Sequence, residues 1–200
     1  MIALIDYGVG NLTNLCNAID QFTQDYEITR EPANLHRASK IILPGVGAFG
    51  FAMDNLKKRG FEKPLLEEAR KKKILGICVG MQLLFTESSE HGSHKGLNLI
   101  PGKVTRFGSD LKIPQIGWNS LRIKRDDPIL EGVGDGDFFY SVHSYACHPE
   151  KPEAALGVCD YGEEYACVVK EKNVYGFQFH PEKSSDKGIR LLRNFFELPA

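Results

Sequence analysis

Within the first 80 residues, short β-branched runs alternate with amphipathic stretches, and this alternation narrows the fold more than any other feature. The runs are MIALID (1–6), YEIT (26–29), KIILPG (40–45) and KKKILGIC (71–78), with a helix expected from about Asn11 to Thr23 and another after Ala48. Such an order predicts an α/β fold, a mostly parallel central sheet flanked by helices. In sheets of that kind the carboxyl ends of the strands form the functional edge.

The second half reads differently. SLRIK (120–124), DFFYSVHS (137–144), EYACVVKE (164–171) and NVYGFQFH (173–180) are short extended runs separated by turn-rich pieces containing Gly and Pro, and a last helix is expected from about Asp186 to Glu197. These runs predict additional antiparallel strands on the same sheet. The 200 residues suit one domain, 1–200, with no internal repeat.

Composition excludes some partners. A net charge of −1 gives no electrostatic case for nucleic acid or an anionic membrane. No apolar run approaches the roughly 20 residues that cross a bilayer, and the apolar start meets Asp6 too early for a signal peptide. A cytoplasmic address is therefore expected. Cys16, Cys78, Cys147, Cys159 and Cys167 are scattered and lack paired metal spacing, so reduced thiols and no metal site are expected. The basic run Arg70–Lys73 reads as a solvated helix end.

Three motifs carry chemistry. Gly45-Val46-Gly47-Ala48-Phe49-Gly50 matches G-x-G-x-x-G after a strand, but no acidic residue closes the next strand about 20 residues on, which argues against a dinucleotide. The same loop has backbone N–H groups suited to stabilising a negative charge. In LGICVGMQ, a strand ending at Ile77, a turn at Cys78 between Gly76 and Gly80, and a helix through Met81–Leu84 would form a strand–nucleophile–helix elbow. The glycines would relieve crowding and the helix N-terminus would favour a thiolate. Taken alone, Cys78 could as well be a buried core thiol. In YGFQFHPEKS, extended geometry would set His180 and Glu182 on one side of a strand about 7 Å apart, a base with an orienting carboxylate. Parallel strands sharing one edge allow Cys78 and His180 to meet.

GICVGMQ and FHPEKS together resemble the class I, triad-type glutamine amidotransferases. DYGVGNL, LPGVGAFG, IGWN and VHSY extend the resemblance from about residue 2 to 195, towards the branch that serves as glutaminase subunit in histidine biosynthesis. The resemblance implies Cys78 as nucleophile, His180 as acid and base, and Glu182 as its orienting carboxylate. It implies an oxyanion hole from the backbone of Val79 and the Val46–Gly47 loop, and glutamine contacts from Gly47, Gln82, Ser144 and Tyr145. It also implies a heterodimer with a separate cyclase subunit, a (β/α)8 barrel, touched by Asn11, Asn14, Trp118 and Lys183, and no cofactor. The residues themselves allow plainer roles: Asn11 as a helix N-cap, Trp118 and Tyr145 as core aromatics, Ser144 as a turn residue and Lys183 as a solvated cation. Two other functions fit the elbow, a peptidase-like cysteine hydrolase or a noncatalytic module with a buried thiol. The first typically has histidine after the cysteine, where this chain has Val79.

Overall fold

The computed structural model describes residues 1–108 and 110–199. Four parallel strands come first: β1 (Ile2–Ile5), β2 (Tyr26–Thr29), β3 (Lys40–Gly45) and β4 (Lys73–Cys78). Helices α1 (Leu12–Ile19), α2 (Phe49–Lys58) and α3 (Glu62–Glu68) make the crossovers. Asn11 caps α1 by accepting from the Asn14 N–H at 3.2 Å. That helix stops at Ile19, short of the expected Thr23, and the N–H groups of Phe22 and Thr23 share the Ile19 carbonyl in the turn that follows.

The short α4 (Val79–Leu83) leads into a stretch where the sequence shows little periodicity and the chain makes strands all the same. These are β5 (Phe85–Ser88), β6 (His94–Lys95), β7 (Ile100–Arg106), β8 (Gln115–Ser120) and β9 (Arg122–Ile123). The expected strand at SLRIK is thus only the two residues of β9, preceded by the longer β8. After β10 (Phe138–His143) come β11 (Tyr145–Pro149), β12 (Ala155–Asp160), β13 (Glu164–Glu171), β14 (Val174–Phe177) and the closing α5 (Ser185–Glu197).

Among the described residues, twelve strands form one sheet in the order β2-β1-β3-β4-β14-β13-β11-β7-β5-β6, with β12 attached to β13 and β9 to β12, while β8 and β10 pair as a separate antiparallel ribbon. The half from β2 to β14 is parallel, and β13, β11 and β7 alternate in direction. The core is a continuous apolar cluster from Ile2 to Leu198. The basic run is not simply solvated. Lys72 donates to the Leu35 and His36 carbonyls at 2.8 and 2.7 Å and pairs with Glu68, and Lys73 donates to the Pro199 carbonyl at 2.6 Å.

The register places three strand ends side by side. Gly45 of β3 lies opposite Cys78 of β4, and Ile77 lies opposite Phe177 of β14. Residues 102 positions apart in sequence, Cys78 and His180, therefore leave the sheet at the same edge.

Candidate active site

Cys78 ends β4 with φ 53° and ψ −114°, a backbone that a side chain adopts only where its surroundings enforce it. Close packing enforces it here. A Cβ on Gly80 would lie 1.9 Å from the Leu43 carbonyl oxygen, and one on Gly76 would lie 2.6 Å from the Gly80 oxygen. Glycine at both positions lets α4 press against β3 and β4, and the elbow is held from beneath. α4 has only five residues, Val79–Leu83.

His180 and Glu182 meet by a different route from the extended one. β14 ends at Phe177, the His180 N–H donates to the Tyr140 carbonyl at 2.9 Å, and Pro181–Lys183 form a 3-10 turn. Proline at the first position favours that turn. It folds the Glu182 carboxylate back so that Oε1 accepts from His180 Nδ1 at 2.8 Å, with both side chains only 4% exposed. The bond puts the proton on Nδ1 and leaves Nε2 for other work. Burial opposes the imidazolium, but hydrogen bonds and charge from Cys78 and Glu182 outweigh it and raise the pKa of His180 to about 10.

A pocket of about 310 Å³ opens over this edge, lined by Val46, Gly47, Cys78, Val79, Gln82, Ser144, Tyr145 and His180, and also by Glu90, Pro114, Val142 and His143. That volume suits a small ligand. Every residue expected to bind substrate is on the wall, and Glu182 stands behind His180. The first and last glycines of the G-x-G-x-x-G run are spent on packing, Gly45 against the Gly80 backbone. Gly50 makes room for the His94 ring, which a Cβ would approach to 2.6 Å, and the first N–H of α2 donates to Glu90 Oε2 at 2.6 Å. A protein carboxylate already holds the place a phosphate would take.

Sequence reasoning missed Glu90 and His143. Glu90 lies in a turn-rich stretch with no motif of its own, and His143 sits in the quoted VHSY with no partner visible in sequence. His143 Nδ1 lies 2.8 Å from the Tyr145 carbonyl, which can only accept, so the ring is an Nδ1–H tautomer and Nε2 is bare. Burial, with a further contribution from His180, lowers its pKa to about 4, and the Tyr145 bond offsets only part of that.

The residues expected at a partner surface fall into two groups. Asn11 caps α1, as its plainer reading had it, and also lines a small crevice with Pro44, Gly45, Val46, His180 and Glu182. Asn14 is half-buried on the same helix. Trp118 is no core residue: it is 48% exposed on β8, packed edge-on against Tyr140, over whose ring Lys183 Nζ lies at 5.7 Å.

A buried cysteine, a histidine held by glutamate and a small pocket over a parallel sheet edge define a cysteine-dependent amidase class. A family model for class-I glutamine amidotransferases matches residues 3–198, and the chain belongs to that family. It is 44% identical over 206 residues to the imidazole glycerol phosphate synthase subunit HisH of Syntrophotalea carbinolica, covering 99% of this chain and 100% of that one. It is 47% identical over 196 residues to the protein of the same name from Desulfitobacterium hafniense, covering 98% and 93%. In fold it is similar to PurLQS of Thermotoga maritima, with a TM-score of 0.76 at 16% identity over 98% and 96% of the two chains.

Proposed function

We infer that this chain is the glutaminase subunit of an imidazole glycerol phosphate synthase, hydrolysing glutamine to glutamate and ammonia for a cyclase subunit in histidine biosynthesis. The observation that carries the reading is His180, tied to Glu182 at 2.8 Å and facing the same pocket as Cys78. The names of relatives at 44–47% identity over nearly the whole chain support the branch.

An amide is a poor electrophile, so the reaction needs a strong nucleophile, a proton for the leaving nitrogen and donors for the oxyanion. Cys78 Sγ attacks the side-chain carbonyl carbon as a thiolate. The tetrahedral oxyanion is met by the Val79 N–H and by the Val46–Gly47 loop. His180 Nε2 gives its proton to the departing nitrogen, the C–N bond breaks and a thioester forms. Water, activated by the now neutral His180, cleaves the thioester and releases glutamate, the thiol regaining its proton. Glu182 holds the imidazole in its tautomer and supports its charge. Gln82, Ser144 and Tyr145 hold the rest of the substrate, and the Glu90 carboxylate on the wall is a counter-charge for its α-ammonium.

Ammonia released into water would protonate and lose its nucleophilicity, so it passes directly to the partner. A docking surface for the cyclase is proposed to include Asn11, Asn14, Trp118 and Lys183, of which Asn11 lines the crevice shared with His180 and Glu182. Ile116, Trp118 and Phe138, all exposed, give the β8–β10 ribbon an apolar outer face continuous with Val142 on the pocket wall. A cytoplasmic location belongs to the same reading, tested by fractionation of the source cells.

The test is ammonia release from glutamine by the chain with its cyclase partner, before and after Cys78→Ala. The variant should lose hydrolysis, keep its fold and its complex, and still support the cyclase reaction when ammonium salt at alkaline pH replaces glutamine. Retained hydrolysis would overturn the assignment.

A further inference from the structure

Gln178 is fully buried one residue past β14, and no step above uses it. Its Oε1 accepts from Gln82 Nε2 at 3.2 Å and from the Cys147 thiol at 3.4 Å. The same Gln82 nitrogen donates to the Tyr145 carbonyl at 3.3 Å. A backbone carbonyl can only accept, so the Gln82 atom facing it is the nitrogen, and the Gln178 atom facing that nitrogen is the oxygen. Burial raises the Cys147 pKa well above its ordinary value, so its sulfur is a protonated donor, and this agrees with the same polarity. One peptide carbonyl thus fixes the orientation of the whole buried chain.

Both amide hydrogens of Gln82 are consumed in this way. What remains to it on the pocket wall is its carbonyl oxygen, to which no group among the described residues donates. We propose that Gln178 is a positioning residue for substrate recognition: with the Tyr145 carbonyl it locks the Gln82 amide so that its oxygen faces the pocket and accepts an N–H of glutamine. The proposal rests on the glutaminase reading. It adds a reason for selecting a ligand rich in N–H donors, because the Glu90 carboxylate makes this wall an acceptor as well. A ligand turning a carboxylate to the same place would meet only like polarity.

Gln178→Met removes the accepting oxygen at nearly constant volume and frees the Gln82 amide to rotate. Gln178→Glu keeps an accepting oxygen, and the nitrogen it loses has no partner in the fold. The experiment measures steady-state glutamine hydrolysis by the complex with the cyclase for both variants, for Gln82→Met and for Gln82→Met/Gln178→Met. The Gln178→Met change should raise KM for glutamine about tenfold, the effect of losing one aligned hydrogen bond, with kcat within about threefold. Gln178→Glu should stay within about threefold of wild type in both constants, and Gln178→Met should add nothing in the Gln82→Met background. An unchanged KM in Gln178→Met, a full further loss in the double variant, or a Gln178→Glu as impaired as Gln178→Met would each overturn the proposal. Should Gln178→Met fail to fold, Gln178→Leu takes its place, with the same rise in KM expected and an unchanged KM overturning the proposal. Wild-type turnover that does not depend on Cys78 would instead overturn the glutaminase reading itself, so the two failures are told apart.

Discussion

The two backbone segments that face the Cys78 sulfur are built on opposite terms. On the elbow, Gly76 and Gly80 are in contact with neighbouring backbone, with no room for a methyl group. Across the pocket, Gly47 has φ +88° and nothing within 4 Å of where its Cβ would be, and the adjacent Val46 is partly exposed. The nucleophile's place is set by close packing, which yields only at high energy. The loop proposed to offer the second oxyanion donor has no such packing at Gly47, and a partner or ligand can shift it there at small energy. The site joins a fixed half to an adjustable half.

The largest expected effect lies on the fixed half. Gly80→Ala drives a methyl group into the Leu43 carbonyl, and the strand and helix must separate. Overpacking of this sort costs about 1–3 kcal/mol, a fall in Tm of roughly 3–10 °C for a chain of this size. Because displacement of the sulfur by about 1 Å costs on the order of 10² in rate, glutamine turnover should fall at least that far. Wild-type melting and turnover in Gly80→Ala would break the comparison by showing the elbow to be compliant.

Glu182→Gln tests whether the fixed half extends to the histidine. The expected result is a loss on the order of 10²–10⁴ in kcat with KM nearly unchanged, as for an orienting carboxylate lost from a triad. The pH dependence has a definite sign. His180 is raised from 6.5 to about 10 in the fold, so the imidazolium contributes stability that is complete below pH 6.5 and lost as pH rises towards 10. Glu182→Gln removes one of the groups that raise it, and the slope of unfolding free energy against pH between those limits should flatten. Denaturant unfolding at a series of pH values measures it. An unaltered slope would assign the shift to Cys78 alone.

Trp118→Ala concerns the exposed β8–β10 ribbon, outside both halves. An exposed tryptophan on an apolar ribbon is suited to anchor a partner, and its removal should weaken the cyclase complex by about 2 kcal/mol, roughly 30-fold in Kd. The isolated chain should keep its stability within about 0.5 kcal/mol, since Trp118 leans on Tyr140 rather than filling the core. Calorimetric titration and thermal unfolding separate the two. A large loss of stability with unchanged affinity would return Trp118 to a packing role.

The parallel half was legible because its strands and helices alternate with the full period each requires. YEIT and KIILPG end where β2 and β3 end, and the elbow cysteine follows from two glycines that only a close approach explains. From Phe85 to Asn119 the strands were missed. β5 and β7 run FTES and IPGKVTR, half-exposed and broken by Pro and Gly, and their stability comes from pairing with each other and with β11 rather than from local pattern. The triad's members were legible as a base and a carboxylate two residues apart, but their meeting was not, since a 3-10 turn and not a strand brings them together. Glu90 and Gln178 could not be singled out. One acts from a turn without periodic signal, and the other is an interior glutamine whose partners lie 31 and 96 residues away.

The smallest effect is expected at Gly47, and it is the counterpart of the first. Gly47→Ala places a methyl group in open space, so no backbone must move, and the only penalty is that of an alanine held at φ +88°. That penalty is about 1–2 kcal/mol if the loop keeps its conformation. The loop has another choice, because nothing packs against the position, and it can relax to negative φ at the expense of the N–H proposed to meet the oxyanion. Thermal unfolding should therefore register less than about 1 kcal/mol, smaller than for Gly80→Ala. Turnover should still fall, through kcat more than KM, since a donor used only at the transition state has been turned away. The same methyl group thus separates the two halves by which observable it moves: stability and rate together at the elbow, rate alone at the loop. A Gly47→Ala variant that melts as early as Gly80→Ala would show the loop to be packed as tightly as the elbow, and the distinction between a fixed and an adjustable half would fall.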